Sequence, residues 1–471
     1  EGDGDLDLAV SNLNEPPSIH RNNTRDANRI ILKLEGADSN TSAIGAALEL
    51  TTSEGKQIRQ FNPMRGFSSC DEGLIQFGLG ASDLIQSLTV KWPGGREATF
   101  KNLATNRRYT IRQSDAVTVA KKTHIPAPLF RAEESLITAR HWEMPFNDFR
   151  LQPLLPNRQS QWGPSLACGD IDGDGDHDFF IGGCAGYLGS LIINEGAGKY
   201  ITRPFTAATA HKGSEDLGAL FFDCDGDNDL DLVVASGSVE HPPANPSYAD
   251  RLYLNNGRGS FVAAKSGTIP IGLDSSGALA AADFDRDGDL DLFIGGRSVP
   301  GAYPTASRSR ILLNSGGKFT DITTRFPALL EKRIVTGAIW SDADGDGWID
   351  LLLSTEWGPI RFLRNDKGTL VDATKTAGLS SLLGWWTGIN GADIDHDGDI
   401  DILATNFGLN TKYKATAETP EILFYGDFEN SGRKRIVEAG FEHGACYPHR
   451  GFSCSRNAMP FVGTKLKTFH N

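Results

Sequence analysis

The chain has 471 residues, 39% of them hydrophobic, and a formal net charge of −14, the composition of a globular protein long enough for several domains. No apolar run approaches the ~20 residues that a membrane span needs. Few Lys/Arg clusters are present to track phosphates, so the sequence argues against nucleic acid as a partner as well as against a membrane span.

Residues 1–29 open with Glu1-Gly2-Asp3-Gly4-Asp5-Leu6-Asp7-Leu8, the later part of an alternate-aspartate loop that recurs in full downstream. They are expected to end an upstream repeat, within a longer multi-domain chain whose start is missing. The lack of a signal peptide here therefore says nothing about export. Residues 30–113 have no such loops; short alternating strands (Arg29 to Leu34, Ala46 to Thr51, Leu88 to Trp92, Tyr109 to Arg112) and Gly-rich turns predict a small β-sandwich-like domain with its own core. Residues 114–165 contain Pro and Arg and have little periodicity, which predicts a linker and a leading strand packed on the domain that follows.

From residue 170 the pattern Asp-x-Asp-x-Asp-(Gly/Asn)-x-x-Asp appears five times, 51 to 60 residues apart. The carboxylates at loop positions 1, 3, 5 and 9 are Asp170, Asp172, Asp174 and Asp178; Asp223, Asp225, Asp227 and Asp231; Asp283, Asp285, Asp287 and Asp291; Asp342, Asp344, Asp346 and Asp350; and Asp393, Asp395, Asp397 and Asp401. Alternate carboxylates in a tight loop converge on a point, and a hard cation wanting six to eight oxygens makes that crowding tolerable, so Ca2+ is expected at about five sites. Position 6 carries Gly175, Gly288, Gly347 and Gly398, with Asn228 in the second copy, residue types that accept the left-handed backbone of a sharp turn. An EF-hand would place Glu at position 12, where this chain has Ile181, Val234, Ile294, Leu353 and Ala404. The loops are therefore expected between strands. They hold 24 of the 60 acidic residues, leaving 36 against 46 Lys and Arg, and five divalent ions would bring the formal charge to about −4.

Each loop is preceded by a small-residue strand (Gly277-Ala278-Leu279-Ala280; Gly337-Ala338-Ile339-Trp340) and followed by an apolar one (Leu292-Phe293-Ile294; Leu351-Leu352-Leu353). A third strand ends in an Asn/Gly turn, as in Leu252 to Gly257, Ile311 to Gly316 and Phe362 to Asn365, and the chain returns through Phe261, Phe319 or Leu370. Four strands per repeat predict a β-propeller over residues 166–440. A degenerate sixth loop, Asp427-Phe428-Glu429-Asn430-Ser431-Gly432, has Arg435 at position 9 and is expected to bind calcium weakly or not at all. Six repeats plus a closing one suggest seven blades, with six as the alternative, and residues 441–471 are read as a tail. Six cysteines (Cys70, Cys168, Cys184, Cys224, Cys446, Cys454) show no zinc spacing; Cys446 and Cys454 are near enough in sequence to bridge, and the others suit small buried positions.

Several motifs resemble known families. The aspartate loops with their Asn-x-Gly-x-x-Phe followers resemble the FG-GAP/VCBS repeats of integrin-type propellers. Ile44-Gly45-Ala46, Arg65-Gly66-Phe67-Ser68-Ser69, Phe77-Gly78-Leu79-Gly80 and Val90-Lys91-Trp92-Pro93-Gly94-Gly95 resemble the ASPIC/UnbV domain, although Cys70 stands where that family tends to have Gln. His141-Trp142-Glu143, Asp148-Phe149, Leu154-Leu155-Pro156, Gly163-Pro164, Glu356-Trp357-x-Pro359-Ile360, Trp385-Trp386 and Asn406-Phe407-Gly408-Leu409-Asn410 are similar to the second propeller of those proteins. The resemblance implies a secreted, surface-exposed or periplasmic calcium-binding protein engaged in adhesion or in binding an extracellular protein or glycan.

Three further features invite a chemical reading. His141 and Glu143 would share one side of an extended strand and, with Asp148, offer possible ligands for a transition metal; the plainer role is anchoring the linker. Trp357, Trp385 and Trp386 suggest either a sugar-stacking platform or packing between blades. His177 and His396, inside the loops, read as solvent-facing spacers. No Gly-x-Ser-x-Gly nucleophile elbow and no complete Gly-x-Gly-x-x-Gly occurs. The favoured expectation is a non-enzymatic binding module with structural calcium. The alternative is a carbohydrate-active enzyme, of lyase or isomerase type, with its site in the propeller channel or at the domain junction.

Overall fold

The computed structural model describes residues 8–10, 18–20, 22, 27–37, 40–61, 73–93, 95–118, 137–395, 400–409 and 411–465. Among them strands dominate and helices are few and short. The chain divides into two compact units, Glu1–Arg131 and Ala132–Asn471.

In the first unit two sheets enclose one core. A five-stranded sheet runs in the order Val117–Thr118, Arg96–Ala104, Leu84–Lys91, Ala47–Thr52, Gly55–Gln60, and a three-stranded sheet in the order Ile75–Gly80, Asn28–Glu35, Arg107–Arg112. Strand Ala47–Thr52 alternates strictly between buried and half-buried positions, as a sheet with one face on a core requires. Its Leu48 and Leu50 meet Leu88 and Val90 of their own sheet and Ile30, Leu32 and Phe77 of the other. The two sheets share this core, each fully buried aliphatic side chain contributing roughly 1.5–3 kcal/mol. Arg65 to Cys70 and most of residues 1–29 lie outside the described residues; Leu8–Val10 and Ser18–His20 pair antiparallel.

The second unit is built from repeated antiparallel sheets whose strands follow chain order. The first comprises Leu166–Gly169, Asp178–Ile181, Ser190–Asn194 and Tyr200–Pro204; the second Asp216–Phe222, Asp231–Ser236, Arg251–Leu254 and Val262–Ala263. The third comprises Ser276–Ala282, Asp291–Gly296, Arg310–Leu313 and Thr320–Asp321; the fourth Val335–Ser341, Asp350–Thr355, Arg361–Asn365 and Leu370–Asp372. The expected four strands per repeat are present in these sheets. Among the described residues the fifth repeat pairs only Trp386–Ala392 with Asp401–Asn406, and a three-stranded sheet follows (Ile422–Gly426, Arg435–Glu442, Ala445–Pro448).

Consecutive sheets share cores. In the strand Asp231–Ser236, Leu232 and Val234 pack with Phe180 and Leu191 of the first sheet, while Val233 packs with Leu292 and Leu312 of the third. Phe293 and Ile311 of the third sheet then meet Leu351 and Leu363 of the fourth. Alternating side chains thus go to opposite neighbours, which explains why these second strands are apolar throughout. The small residues of the first strands have a separate cause. A Cβ added at Gly218 would lie 1.9 Å from the Gly277 carbonyl oxygen, and one at Gly337 would lie 3.2 Å from the Ile389 amide nitrogen. First strands of successive sheets therefore approach at backbone distance, where only glycine fits.

Two expectations differ from the structure. Residues 137–165 form no leading strand: Pro145, Pro153, Pro156 and Pro164 interrupt pairing, and apart from the short helix Asp148–Leu151 the segment is irregular. It is held by side chains instead. The Gln152 amide donates to the Tyr303 carbonyl (2.9 Å) and accepts from its N–H (3.0 Å), and Leu154 and Leu155 join a core with Ile436 and Met459. A tail beginning at 441 would also cut the strand Arg435–Glu442; Ala445–Pro448 extends that sheet, and Ala458 and Val462, from the helices Phe452–Ala458 and Val462–Lys465, enter the same core. Cys446 and Cys454 are free thiols, as are Cys168, Cys184 and Cys224.

Trp385 is 9% exposed and stacks on Phe407 at 5.0 Å, with Trp357 at 5.4 Å. Its role is packing, and Trp386 donates its indole N–H to the Leu382 carbonyl (3.2 Å). Trp385→Ala is expected to destabilise the protein by roughly 3 kcal/mol, read as a lower denaturant midpoint; an unchanged midpoint would contradict the packing role.

Candidate functional site: the aspartate loops

Every aspartate loop connects the first strand of a sheet to the second. The residue before the loop pairs with the position-9 aspartate in all five copies: Gly169 with Asp178, Phe222 with Asp231, Ala282 with Asp291, Ser341 with Asp350, Ala392 with Asp401. The position-9 carboxylate is thus the first residue of the second strand and shares that strand's environment: buried in the first four copies, with Asp178, Asp291 and Asp350 0% exposed, and exposed as Asp401 in the fifth. At position 6, Gly175, Gly288, Gly347 and Asn228 have φ of 93°, 99°, 89° and 66°, the left-handed turn their identity predicts. Asp397, His396 and Gly398 lie outside the described residues; His177 is exposed.

Backbone donors fix the first and last carboxylates. Gly173 and Gly175 N–H donate to Asp170 (2.8 and 3.0 Å), Gly226 and Asn228 to Asp223 (2.8 and 3.0 Å), Asp287 and Gly288 to Asp283 (3.1 and 3.1 Å), and Gly347 to Asp342 (2.9 Å). Asp178 accepts from Ile171 and Asn194, Asp231 from Cys224 and Asn255, Asp350 from Ala343 and Asn365, and Asp401 from Ile394. The outcome is a convergent set of oxygens. One oxygen from each of Asp170, Asp172 and Asp178 lies within 4.8 Å of the others, as in the sets Asp223, Asp225, Asp227; Asp283, Asp285, Asp291; and Asp342, Asp344, Asp350.

The residues present fit a hard cation. Asp172 Oδ1, Asp285 Oδ1 and Asp342 Oδ1 are buried and have no hydrogen-bond donor, a costly state for an anionic oxygen unless a cation faces it. Burial, then neighbouring aspartates, raises the carboxyls of Asp172, Asp225 and Asp285, and pushes Asp229 up to about 6. Burial pushes Asp291 up to about 7, with backbone N–H donors opposing it and Asp285 and Asp287 adding to it. The sixth loop differs. Asp427 receives the same backbone donors, from Ser431 (3.0 Å) and Gly432 (2.7 Å), which hold its carboxyl below the usual range. Arg435 replaces the position-9 acid and pairs with Glu429 at position 3 (3.2 Å), so a guanidinium supplies the positive charge.

Sequence reasoning gave the Asn after each third strand a turn role and missed its main one. Asn255 Nδ2 donates to the carbonyl of Ile171 (2.8 Å), Asn314 Nδ2 to that of Cys224 (2.8 Å), and Asn365 Nδ2 to that of Phe284 (2.7 Å). Each acceptor is position 2 of the preceding sheet's loop. The recurrence of Asn at one offset was the available signal, but its partner lies 81 to 90 residues away.

The second group singled out in the sequence separates. His141 Nε2 meets Glu143 Oε1 at 2.6 Å and its Nδ1 faces the Gly182 carbonyl at 3.0 Å. Asp148 is elsewhere, accepting from Gln159 and Ser160 N–H (2.7 and 2.8 Å) and the Ser160 hydroxyl (2.5 Å), which ties the irregular segment into a turn.

Residues 36–118 match the family described as ASPIC and UnbV, and residues 223–294 and 342–404 match the FG-GAP-like repeat. The chain joins an ASPIC/UnbV segment to FG-GAP-like repeats. Both FG-GAP-like matches begin at position 1 of a loop and end at position 12 of the next, so each spans two loops. The first loop, outside these matches, has the same geometry. A comparison with curated proteins yields no match. Among solved structures the chain is similar to Raptor from Chaetomium thermophilum, at 13% identity and a TM-score of 0.30 over 63% of this chain and 25% of that one. It is also similar to a thermostable family-43 glycoside hydrolase, at 10% identity and a TM-score of 0.27 over 63% and 96%. The chain spans only a quarter of the Raptor chain, and likeness at these scores carries no argument about function.

Two outcomes are expected. A carboxyl raised in the folded state binds its proton more tightly there than in the unfolded chain, so without metal it costs stability as pH rises from ~4 through its folded value. In chelator, the melting temperature of the wild type should therefore fall more between pH 5 and pH 7.5 than that of Asp291→Asn; equal falls would contradict the shift. Asn314→Ala leaves the Cys224 and Leu290 carbonyls without their side-chain donor and should cost roughly 2–4 kcal/mol in urea unfolding; a cost near zero would remove the inter-sheet role.

Proposed function

We propose that the chain is a calcium-clamped β-propeller, of six or seven blades, that serves as a non-enzymatic binding module for an extracellular protein or glycan. FG-GAP-like repeats suggest a β-propeller-type binding module. The radial reading is supported by first strands that converge at backbone distance and by cores shared between consecutive sheets. The observation that carries the calcium assignment is the recurrence, at the same point of successive sheets, of converging carboxylates with buried oxygens that no donor reaches.

In this reading positions 1, 3, 5 and 9 supply the oxygens, and calcium neutralises the repulsion that otherwise opposes closing the hairpin. The ion binds the folded loop and not the extended chain, so it adds to folding stability by linkage. Extracellular calcium modules work at ~0.1–1 mM affinity, and such affinities suit a protein outside the cytosol, secreted, at a cell surface or in the periplasm. Among the described residues no helix is long and apolar enough to cross a membrane.

Elemental analysis with thermal melts tests the proposal. About five Ca2+ per chain are expected in millimolar calcium, with a large fall in melting temperature on adding EGTA. Asp285→Asn combined with Asp287→Asn should lower the stoichiometry by one. Calcium content near zero, or melting unaffected by EGTA, would overturn the clamp. For the binding role, immobilised extracellular-matrix proteins and glycans should retain the protein in calcium and release it in EGTA; no retention on either class would overturn it.

A further inference from the structure

Outside the aspartate loops, Glu143, Cys184 and Glu215 bring one ligand atom each to within 4.8 Å of one another. They arrive from three places: the irregular segment before the first sheet, the loop after Asp178–Ile181, and the turn before Asp216–Phe222. Cys184 is 1% and Glu215 3% exposed. Glu215 Oε2 accepts from the Ala185 N–H at 2.8 Å, whereas Oε1 is buried and has no hydrogen-bond partner. A carboxylate oxygen so placed, beside a second carboxylate and a thiol, calls for a cation or a proton.

The surroundings are ordered in the manner of a metal centre. His141 is bracketed by the Gly182 carbonyl and Glu143 Oε1, which fixes both the ring and the Glu143 carboxylate; such outer partners orient ligands around bound metals. A Cβ on Gly163 would lie 3.4 Å from Glu215 Oε1 and 3.6 Å from His141 Cε1, so that glycine packs across both groups.

We propose that Glu143, Cys184 and Glu215 form a transition-metal site, with zinc as the expected ion and His141 as the residue positioning Glu143. A thiolate with two carboxylates is a poor set for Ca2+ or Mg2+ and suits a borderline-soft ion that accepts S and O at tetrahedral positions. The fourth position is left to water. On binding, the Cys184 thiol proton and any proton on Glu215 pass to solvent, with no change of oxidation state. The ion would clasp the segment containing Glu143 to the first two sheets. This site is independent of the calcium reading.

The test uses the full chain with its loops saturated by millimolar Ca2+ and Co2+ as the probe. One equivalent of Co2+ should produce thiolate-to-cobalt charge-transfer absorption in the near ultraviolet, and one equivalent of Zn2+ should abolish it. Cys184→Ser should lose the band, and Glu215→Gln should weaken Co2+ binding about tenfold or more. Glu143→Gln, at the most accessible of the three, provides the same measurement if the buried variants fail to fold. No band in the wild type overturns the site; so does a band that survives Cys184→Ser, because another thiol would then be the ligand.

Discussion

Repulsion among alternate carboxylates is the constraint to which the rest of the second unit answers. A tight hairpin between two strands brings at least three aspartate oxygens within 4.8 Å, and backbone N–H groups offset only part of the cost. They reach position 1 and position 9, where the loop turns and where the next strand begins, and also position 5, from the residue two further on. Position 3 keeps an oxygen that no donor reaches in the first and third loops. The turn residue at position 6, the burial of position 9 and the register of the first strand pair all follow from holding these groups together.

The same loops also take part in joining the sheets. The position-2 carbonyl of each of the first three loops takes a donor from outside its own hairpin. The following sheet supplies one, an Asn side chain at the end of its third strand. Shared apolar cores are non-directional; the height of one sheet against the next is set by directional bonds, the Asn ties at three junctions together with buried ion pairs such as Arg310 with Asp250 and Arg297 with Glu356. In the sixth loop the guanidinium of Arg435 stands in for a cation, so the turn persists although the acid at position 9 is gone.

Much of this was legible in the sequence because it is local. The alternate spacing, the Gly or Asn at position 6 and the strands on either side are separated by a few residues, and their physics is that of one hairpin. Small residues in the first strands were visible, but their reason, backbone contact between Gly218 and Gly277, joins different repeats. The same holds for His141. Its pairing with Glu143 could be anticipated from a two-residue offset, although through an irregular segment and not a strand. Cys184 and Glu215 could not be anticipated, because nothing in their spacing marks them and only folding places them beside Glu143. Asp148, nearer in sequence, was the more attractive third member and is committed to its own turn.

The inter-sheet Asn bonds run in one direction only: a sheet's loop is tied by the sheet that comes after it. A run of such sheets that did not close on itself would have unlike ends, its leading sheet receiving a tie and offering none and its last sheet offering one and receiving none. Copying whole repeats in tandem preserves every tie, since each new copy brings the donor its predecessor lacks and the acceptor its successor seeks. Copying from the middle of one sheet to the middle of the next does the same. Lengthening such a chain therefore requires no new contact, only a complete period.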